Sequence, residues 1–413
     1  MYPKLWSDEV EQRIRSEARN LDPQERPAAV QMCTRCVMTN QRPRIVFDDE
    51  GVCSACRYAE RKASGIDWAG RAAELHDLLD RYEWNGTHRS DGWYGEDGSY
   101  AWDGGYDCIV PVSGGKDSSF VATTLRDYGM TPLCARFAPF MMTDIGERNW
   151  QSFIHAGFNT VTMQPNGLSH RKLARLAFEF YGDPFQPFTY GQLCWPMHVA
   201  VHRGVKLVFF GENGEAEYGG DSSANDKPCW SDDDWARIYH KGATIEKLTE
   251  IGDELGALTN DDLRTLHGGE YEWPQYMEPS QRPEFHWLGY YLPWHPQGNF
   301  YTACERTGFE ANEERSEGTY SKYASLDDKL DGLHYYMAYV KFGIGRCTSD
   351  AAHEVRDGEL TRDEALALVA KYDGEFPTRH LTECLDYLGM SREHLDVVIE
   401  RFRGPQVPLS RAA

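Results

Sequence analysis

Apolar positions change their period along this chain, and the changes mark its organisation. Residues 66–82 (IDWAGRAAELHDLLDRY) set Ile66, Ala69, Ala73, Leu75, Leu78 and Leu79 at helical spacing and predict an amphipathic helix. From residue 106 short apolar runs alternate with helical patterns. Strands are predicted at 106–112, 132–138, 158–163 and 205–210, and helices at 117–128, 145–156, 169–181 and 191–202. Such alternation predicts an α/β fold with a parallel sheet, helices on both faces, and ligands at the carboxyl ends of the strands. Residues 1–30 read as a polar, partly helical lead-in. Residues 84–105, rich in Gly, Asp, Trp and Tyr without a period, read as a loop. Beyond 220 the pattern loosens, with a helix at 244–257. An aromatic and proline-dense stretch at 271–301 fits either a lid or a connector packed on the core. Helical patterns return at 326–342, 361–372 and 380–402. The resulting division is 1–30 lead-in, 31–65 cysteine module, 66–105 helix and loop linker, and 106–220 core. An irregular lid or substrate region follows at 221–310, and a mostly helical C-terminal region at 311–413.

Composition narrows the class. A chain of 413 residues, 41% hydrophobic and 26% charged, has the length for two or three domains and reads as soluble and globular. No apolar run approaches the roughly 20 residues of a membrane span, and the first twenty residues carry no apolar secretory segment, so a cytoplasmic location is expected. A net charge of −22 argues against nucleic acid or an anionic membrane as a partner.

Eleven cysteines, an odd number, favour metal ligation or isolated thiols over a disulfide framework. Four of them form two CxxC knuckles, Cys33/Cys36 and Cys53/Cys56, separated by residues 37–52. Two knuckles complete a tetrahedral sulfur shell that suits Zn²⁺ better than an iron–sulfur cluster. With no ligand position left for water, the zinc is expected to be structural. Cys108 and Cys134 fall in predicted strands and read as core. Cys194, Cys304 and Cys347 lie nearer polar motifs, where a sulfur carrier could sit.

The most informative string is Ser113-Gly114-Gly115-Lys116-Asp117-Ser118-Ser119, set between a predicted strand and a predicted helix. Paired glycines let backbone N–H groups approach anionic oxygens, and a helix N-terminus adds donors and partial positive charge. Lys116 supplies a cation and Asp117 a ligand for Mg²⁺. The spacing is not that of a Walker A loop. A bare paired-glycine turn would be an ordinary connection. The full string resembles the pyrophosphate loop of the PP-loop ATPases, which split ATP between its α and β phosphates to activate a carbonyl oxygen.

Joined in this order, the motifs resemble those of the N-acetyl sugar amidotransferases of bacterial surface-polysaccharide (lipopolysaccharide) pathways, within the PP-loop superfamily. The resemblance spans about 32–387 and rests on CTRCVM (33–38), VFDDEGVCSAC (46–56), VSGGKDSS (112–119), GENGEAEYGG (211–220) and RSEGTYSKYASLDDKLDGLHYYMAYVKFGIGR (315–346). It implies a HUP-like parallel-sheet domain of the adenine nucleotide alpha hydrolase type, with an N-terminal four-cysteine zinc module and a mostly helical C-terminal region. The implied reaction is ATP-dependent: a nucleotide-linked acetamido sugar is adenylated at its amide oxygen, and ammonia-derived nitrogen replaces that oxygen to give an acetamidino group. Ammonia would come from a separate glutaminase and a cyclase-like barrel subunit. In agreement, Tyr2 rather than a nucleophilic cysteine follows Met1.

On this reading Ser113, Gly114, Gly115, Ser118 and Ser119 donate to the pyrophosphate, Lys116 offsets its charge, Asp117 holds Mg²⁺, and Phe137 lies at the adenine edge. Glu212 and Asn213, with Glu217 and Tyr218, would orient the acetamido group or accept protons. Arg315, Lys322, Lys329, Lys341 and Arg346 form a basic group for substrate phosphates, although each would also suit an ion pair with a neighbour such as Asp327 or Asp328. Two alternatives share some of these motifs: a sulfur-inserting enzyme with a persulfide cysteine, acting on tRNA or a small molecule, and a zinc-containing scaffold with a vestigial nucleotide site.

Overall fold

The computed structural model describes residues 2–83, 93–94, 100–101, 105–231, 234–240, 243–266, 270–274, 282–405 and 407. Helices α1 (Asp8–Glu17), α2 (Ser54–Ser64) and α3 (Trp68–Tyr82) precede a short antiparallel pair, β1 (Trp93–Tyr94) and β2 (Tyr100–Ala101). The pair falls where the sequence reads as a loop; the rest of 84–104 lies outside the described residues. The core runs β3 (Cys108–Pro111), α4 (Lys116–Asp127), β4 (Pro132–Phe137), α5 (Asp144–His155), β5 (Asn159–Met163), α6 (Gly167–Tyr181), α7 (Gln186–Arg203) and β6 (Leu207–Phe210). Then come α8 (Gly214–Tyr218), α9 (Ile245–Glu254), α10 (Asn260–Leu266), β7 (Glu284–Trp287), α11 (Leu288–Tyr291) and α12 (Pro296–Thr307). The C-terminal helices are α13 (Asp331–Phe342), α14 (Arg346–Asp357), α15 (Arg362–Tyr372), α16 (Leu381–Leu388) and α17 (Arg392–Phe402). The molecule is thus mixed α/β, a five-stranded parallel sheet with a mostly helical remainder.

The sheet order is β5-β4-β3-β6-β7, every pair parallel. Successive residues of its central strands serve opposite faces. Cys108, Val110, Cys134, Leu207 and Phe209 pack with α3, α4 and α5, whereas Ile109, Leu133, Ala135, Val208 and Phe210 pack with α7. Both faces are covered, which is why these strands read as continuous apolar runs. The carboxyl ends of β3 and β6 lie side by side, so the chain segments that follow them, 112–119 and 211–220, meet at one edge of the sheet.

Three differences from the sequence expectation have plain causes. The stretch at 271–301 supplies β7, which pairs with β6 in the register Leu207↔Glu284. Of its described aromatics, Tyr271, Phe285, Trp287 and Trp294 are buried and belong to the core, whereas Tyr301 at its end is exposed. The helix expected over 326–342 begins at Asp331, because Asp328 forms an antiparallel bridge with Met142 and its carboxylate accepts from Leu330 N. The single helix expected over 380–402 is two, broken at Gly389 with φ +62° and restarted at Ser391, whose hydroxyl caps α17.

Helix α6 is buried nearly all round and joins the two ends of the chain. Arg175 donates to Glu179 and to Glu11 of α1, and Glu179 also accepts from His394 and Arg401 of α17. Burial pushes the Glu179 carboxyl up, but His394, Arg175 and Arg401 outweigh it and hold the group at about 2. Because this lies below the ordinary carboxyl value of 4.5, the network stabilises the fold above that pH and is lost as pH falls from 4.5 towards 2. Replacing Glu179 by Gln leaves the fully buried Arg175 short of its counter-charge. The expected cost is about 3–5 kcal/mol in urea unfolding at pH 7, shrinking as pH is lowered.

Candidate active site and cysteine centre

The Ser113–Ser119 string forms the turn from β3 into α4. Gly114 has φ +89°, and a Cβ there would lie 3.0 Å from Trp150 Cα, so both conformation and space call for glycine. Gly115 is the N-cap of α4 and provides no side-chain cap, which leaves the first-turn N–H groups open to an anion. Ser113 Oγ accepts from Gly115 N at 3.2 Å, and Ser118 Oγ donates to Gly115 O at 3.1 Å, so the serines brace the turn. Lys116 Nζ donates to Asp117 Oδ2, and Asn299 Nδ2 donates to Asp117 Oδ1 at 3.0 Å. Asn299, buried on α12, has no sequence signal as a site residue, since it lies in the aromatic stretch, 182 residues beyond Asp117.

Ser113 to Ser118 line a cavity of about 260 Å³, closed on its other side by Phe309, Tyr323 to Asp327, Asp331, Tyr335 and Arg346. Ser119 is fully buried in the second turn and does not line it. An adjoining cavity of about 240 Å³ shares Ser113, Asp117 and Ser118 and adds Phe137 and Glu212. Phe137 is itself buried, among Phe188, His170 and Tyr271. Burial, and next the charge of Asp117, push the Glu212 carboxyl up to about 7, with Lys116 working in the opposite direction. Glu212 and Asp117 are hard oxygen donors suited to Mg²⁺, which would offset the burial and neighbouring charge that act on Glu212. The strip 326–328 is pinned over the loop: Thr143 N donates to Asp327 O, the Thr143 hydroxyl donates to Leu326 O, and Gly146 leaves room for Asp327.

In GENGEAEYGG, Gly211 and Glu212 line the second of the loop's cavities, and the rest of the segment lines neither. Asn213 caps α8, accepting from Glu215 N at 3.2 Å and donating to Ala224 O at 2.9 Å. Glu217 is buried between Lys62 of α2 (2.8 Å) and His353 of α14 (3.2 Å). The Tyr218 ring lies tilted against His353, and burial, then the charges of Glu212 and Asp117, push its phenol well up. Among the basic residues, Arg346 lines the loop's cavity, held by Asp350 at 2.9 Å and by Tyr335 Oη. The others are engaged elsewhere. Arg315 makes a two-point pair with Glu375, and Lys322 donates to Glu313 O. Lys341 donates to Tyr181 O and pairs with Asp22, while Lys329 pairs with Glu383.

The four cysteines of the knuckles are buried together, their sulfurs within 4.8 Å of one another. Cys33 and Cys56 are 3.8 Å apart and Cys36 and Cys53 3.7 Å. A tetrahedron with metal–sulfur bonds of about 2.3 Å has edges of about 3.8 Å, so the cluster fits structural zinc with no open position. The module docks on α8 and α15. Arg44 forms a two-point pair with Glu215 of α8, and Arg362 of α15 donates to Cys36 O and Cys33 O. Cys194, Cys304 and Cys347 stand apart from the two cavities at the loop, and burial pushes each thiol up.

Among the described residues no helix is long and apolar enough to cross a membrane. A comparison with curated proteins returned no match. Residues 317–408 match the model of the family described as LPS biosynthesis protein WbpG-like, C-terminal domain. That segment contributes Tyr323, Asp331 and Arg346 to the wall opposite Lys116. The match supports a place for the chain in an LPS or polysaccharide biosynthesis family, and a biosynthetic family of this kind suggests enzymatic activity.

Proposed function

We propose that the chain is the ATP-dependent synthetase half of an amidotransferase, converting the acetamido group of a nucleotide-linked sugar into an acetamidino group. One observation carries this reading: an uncapped, glycine-led helix N-terminus bearing Lys116 and Asp117 opens on a cavity whose far wall comes from the WbpG-like segment. An amide carbonyl is a poor electrophile and its oxygen a poor leaving group. Bonding of the amide oxygen to the α-phosphorus of ATP, with release of pyrophosphate, turns that oxygen into part of a phosphate ester. Ammonia then adds to the carbon, loses a proton, and AMP departs with the oxygen.

The chain's residues divide this work. Ser113 to Ser118 cradle the phosphates, and Lys116 offsets charge as it builds on the pyrophosphate. Asp117, kept in place by Asn299, and Glu212 beside it would hold Mg²⁺, which supplies charge neutralisation at the phosphates. The strip 326–328 and Tyr323 shield the site from water. Zinc has a structural part only. Ammonia is delivered by a separate glutaminase with its barrel subunit, and the setting is the cytoplasm, where ATP is available. The sulfur-inserting alternative needs an exposed, low-pKa thiol; Cys194 and Cys347 are buried and Cys304 half-buried, and the thiol of each is pushed up rather than down.

The test is pyrophosphate release from ATP with a panel of nucleotide-linked acetamido sugars and ammonium, with mass analysis of the sugar product. Exchange of oxygen for NH is expected to lower the product mass by about one unit and add a basic group. Release that depends on a sulfide donor and not on ammonium would overturn the proposal.

A further inference from the structure

A second cavity, about 410 Å³, lies behind the one at the loop. The two share Ser325, Leu326, Asp331, Tyr335 and Arg346, which form a neck between them. We infer that the larger cavity holds the nucleoside diphosphate part of the acceptor and that the neck passes only its acetamido group to the phosphate site. The inference rests on the proposed reaction and assigns where its second substrate sits.

Three observations carry it. The acceptor oxygen must reach the α-phosphorus while its nucleotide stays out of the ATP site, and a shared neck between two cavities provides that division. The volume falls within the range of small-molecule sites. The neck also has the right chemistry. Asp331 is 8% exposed, lines both cavities, and its carboxyl receives no hydrogen bond from a described residue. Burial and the charges of Asp327 and Asp328 hold it well above the ordinary range. Its carboxyl offers polar atoms to the acetamido group at the place where the two cavities meet. Arg346, fixed by Asp350 and Tyr335, stands opposite.

The outer wall carries cations whose ion-pair partners are surface carboxylates, Arg379 also donating to Arg315 O at 3.1 Å. Arg379 pairs with Glu314, which is 79% exposed, and Lys329 pairs with Glu383, which is 49% exposed. Surface pairs of this kind are weak and screened, so a diphosphate with two-point geometry can displace the carboxylates.

The test measures binding of UDP, GDP and dTDP to the full chain by calorimetry in the presence of saturating ATP analogue, alongside the turnover assay. At least one diphosphate is expected to bind together with the analogue. Arg379→Glu and Lys329→Glu, on separate parts of the wall, are each expected to weaken it by about tenfold, with affinity for the ATP analogue unchanged. Asp331→Asn is expected to leave diphosphate binding intact and to lower kcat for the acetamido substrate. Binding of no diphosphate, competition with the analogue, or binding indifferent to both wall variants overturns the inference. If turnover occurs while both wall variants keep the parental KM, the site assignment fails and the proposed reaction stands. If diphosphate binds as described and no acetamido sugar is turned over, the reaction fails and the site stands.

Discussion

Lys116→Ala is expected to lower ATP-dependent pyrophosphate release by about 10²- to 10³-fold, the range for loss of one group that meets developing charge. Lys116 is the first residue of α4, and its ammonium contacts Asp117 at the mouth of the phosphate cavity. On the proposed reaction, its loss removes positive charge from the place where pyrophosphate would separate. The fold does not depend on it in the same way. Asp117 keeps its bond from Asn299, and the turn keeps the Ser113 and Ser118 bonds. The melting temperature is therefore expected to stay close to the parent, which separates lost chemistry from lost structure. The measurement is steady-state pyrophosphate release beside a thermal melt. A loss below about threefold with a normal melt would show that the loop does not carry the chemistry.

The second large effect is expected at the cysteine centre. Purified protein should contain about one zinc per chain by elemental analysis, and Cys36→Ser should contain none. Structural zinc contributes on the order of 10 kcal/mol or more to small domains built around it. Between residue 33 and the start of α2 the regular structure is limited to the isolated bridges Met32↔Thr39 and Phe47↔Cys53 and to turn bonds such as Thr34 N to Gly51 O and Asp48 N to Val52 O, so the metal is expected to be a main tie of this segment. Loss of the metal should also reach the active site. Arg44 and Lys62 leave with the module, and the partners they release are Glu215 and Glu217, on the helix directly after Glu212. Cys36→Ser is thus expected to lose pyrophosphate release and to melt at lower temperature. A metal-free chain with normal turnover would exclude this coupling, and iron in place of zinc would reassign the centre.

How far the sequence reached depended on the range of the interactions involved. The turn at Gly114 and Gly115 was legible because a glycine-led helix start is encoded within seven residues. The cysteine cluster was legible because two CxxC spacings restrict the ligands before any folding. The basic run was not. Arg315, Lys322 and Lys341 have the charge for a phosphate site, but Glu375, Glu313 O and Tyr181 O claim them through contacts that no local pattern announces. Asn213 belongs with them: its spacing suits catalysis and a helix cap equally, and its bonds are those of a cap. Strand β7 was hidden by the prolines and aromatics around it, since an edge strand of four residues is defined by its partner more than by its own period.

The chain's sequence by itself determined the parallel α/β core, the glycine turn at the end of β3, and the four-sulfur centre. Each of these follows from short-range periodicity or from residue types whose chemistry leaves few choices. Only the tertiary structure decided what faces the turn. Asn299 on Asp117, Glu212 against Asp117, and the neck of Asp331, Tyr335 and Arg346 are pairs and groups set by packing between elements far apart in the chain. Burial and neighbouring charge shift the ionisation of Glu212 and Asp331, and neither quantity exists until the sheet, the cysteine module and the C-terminal helices have closed around them.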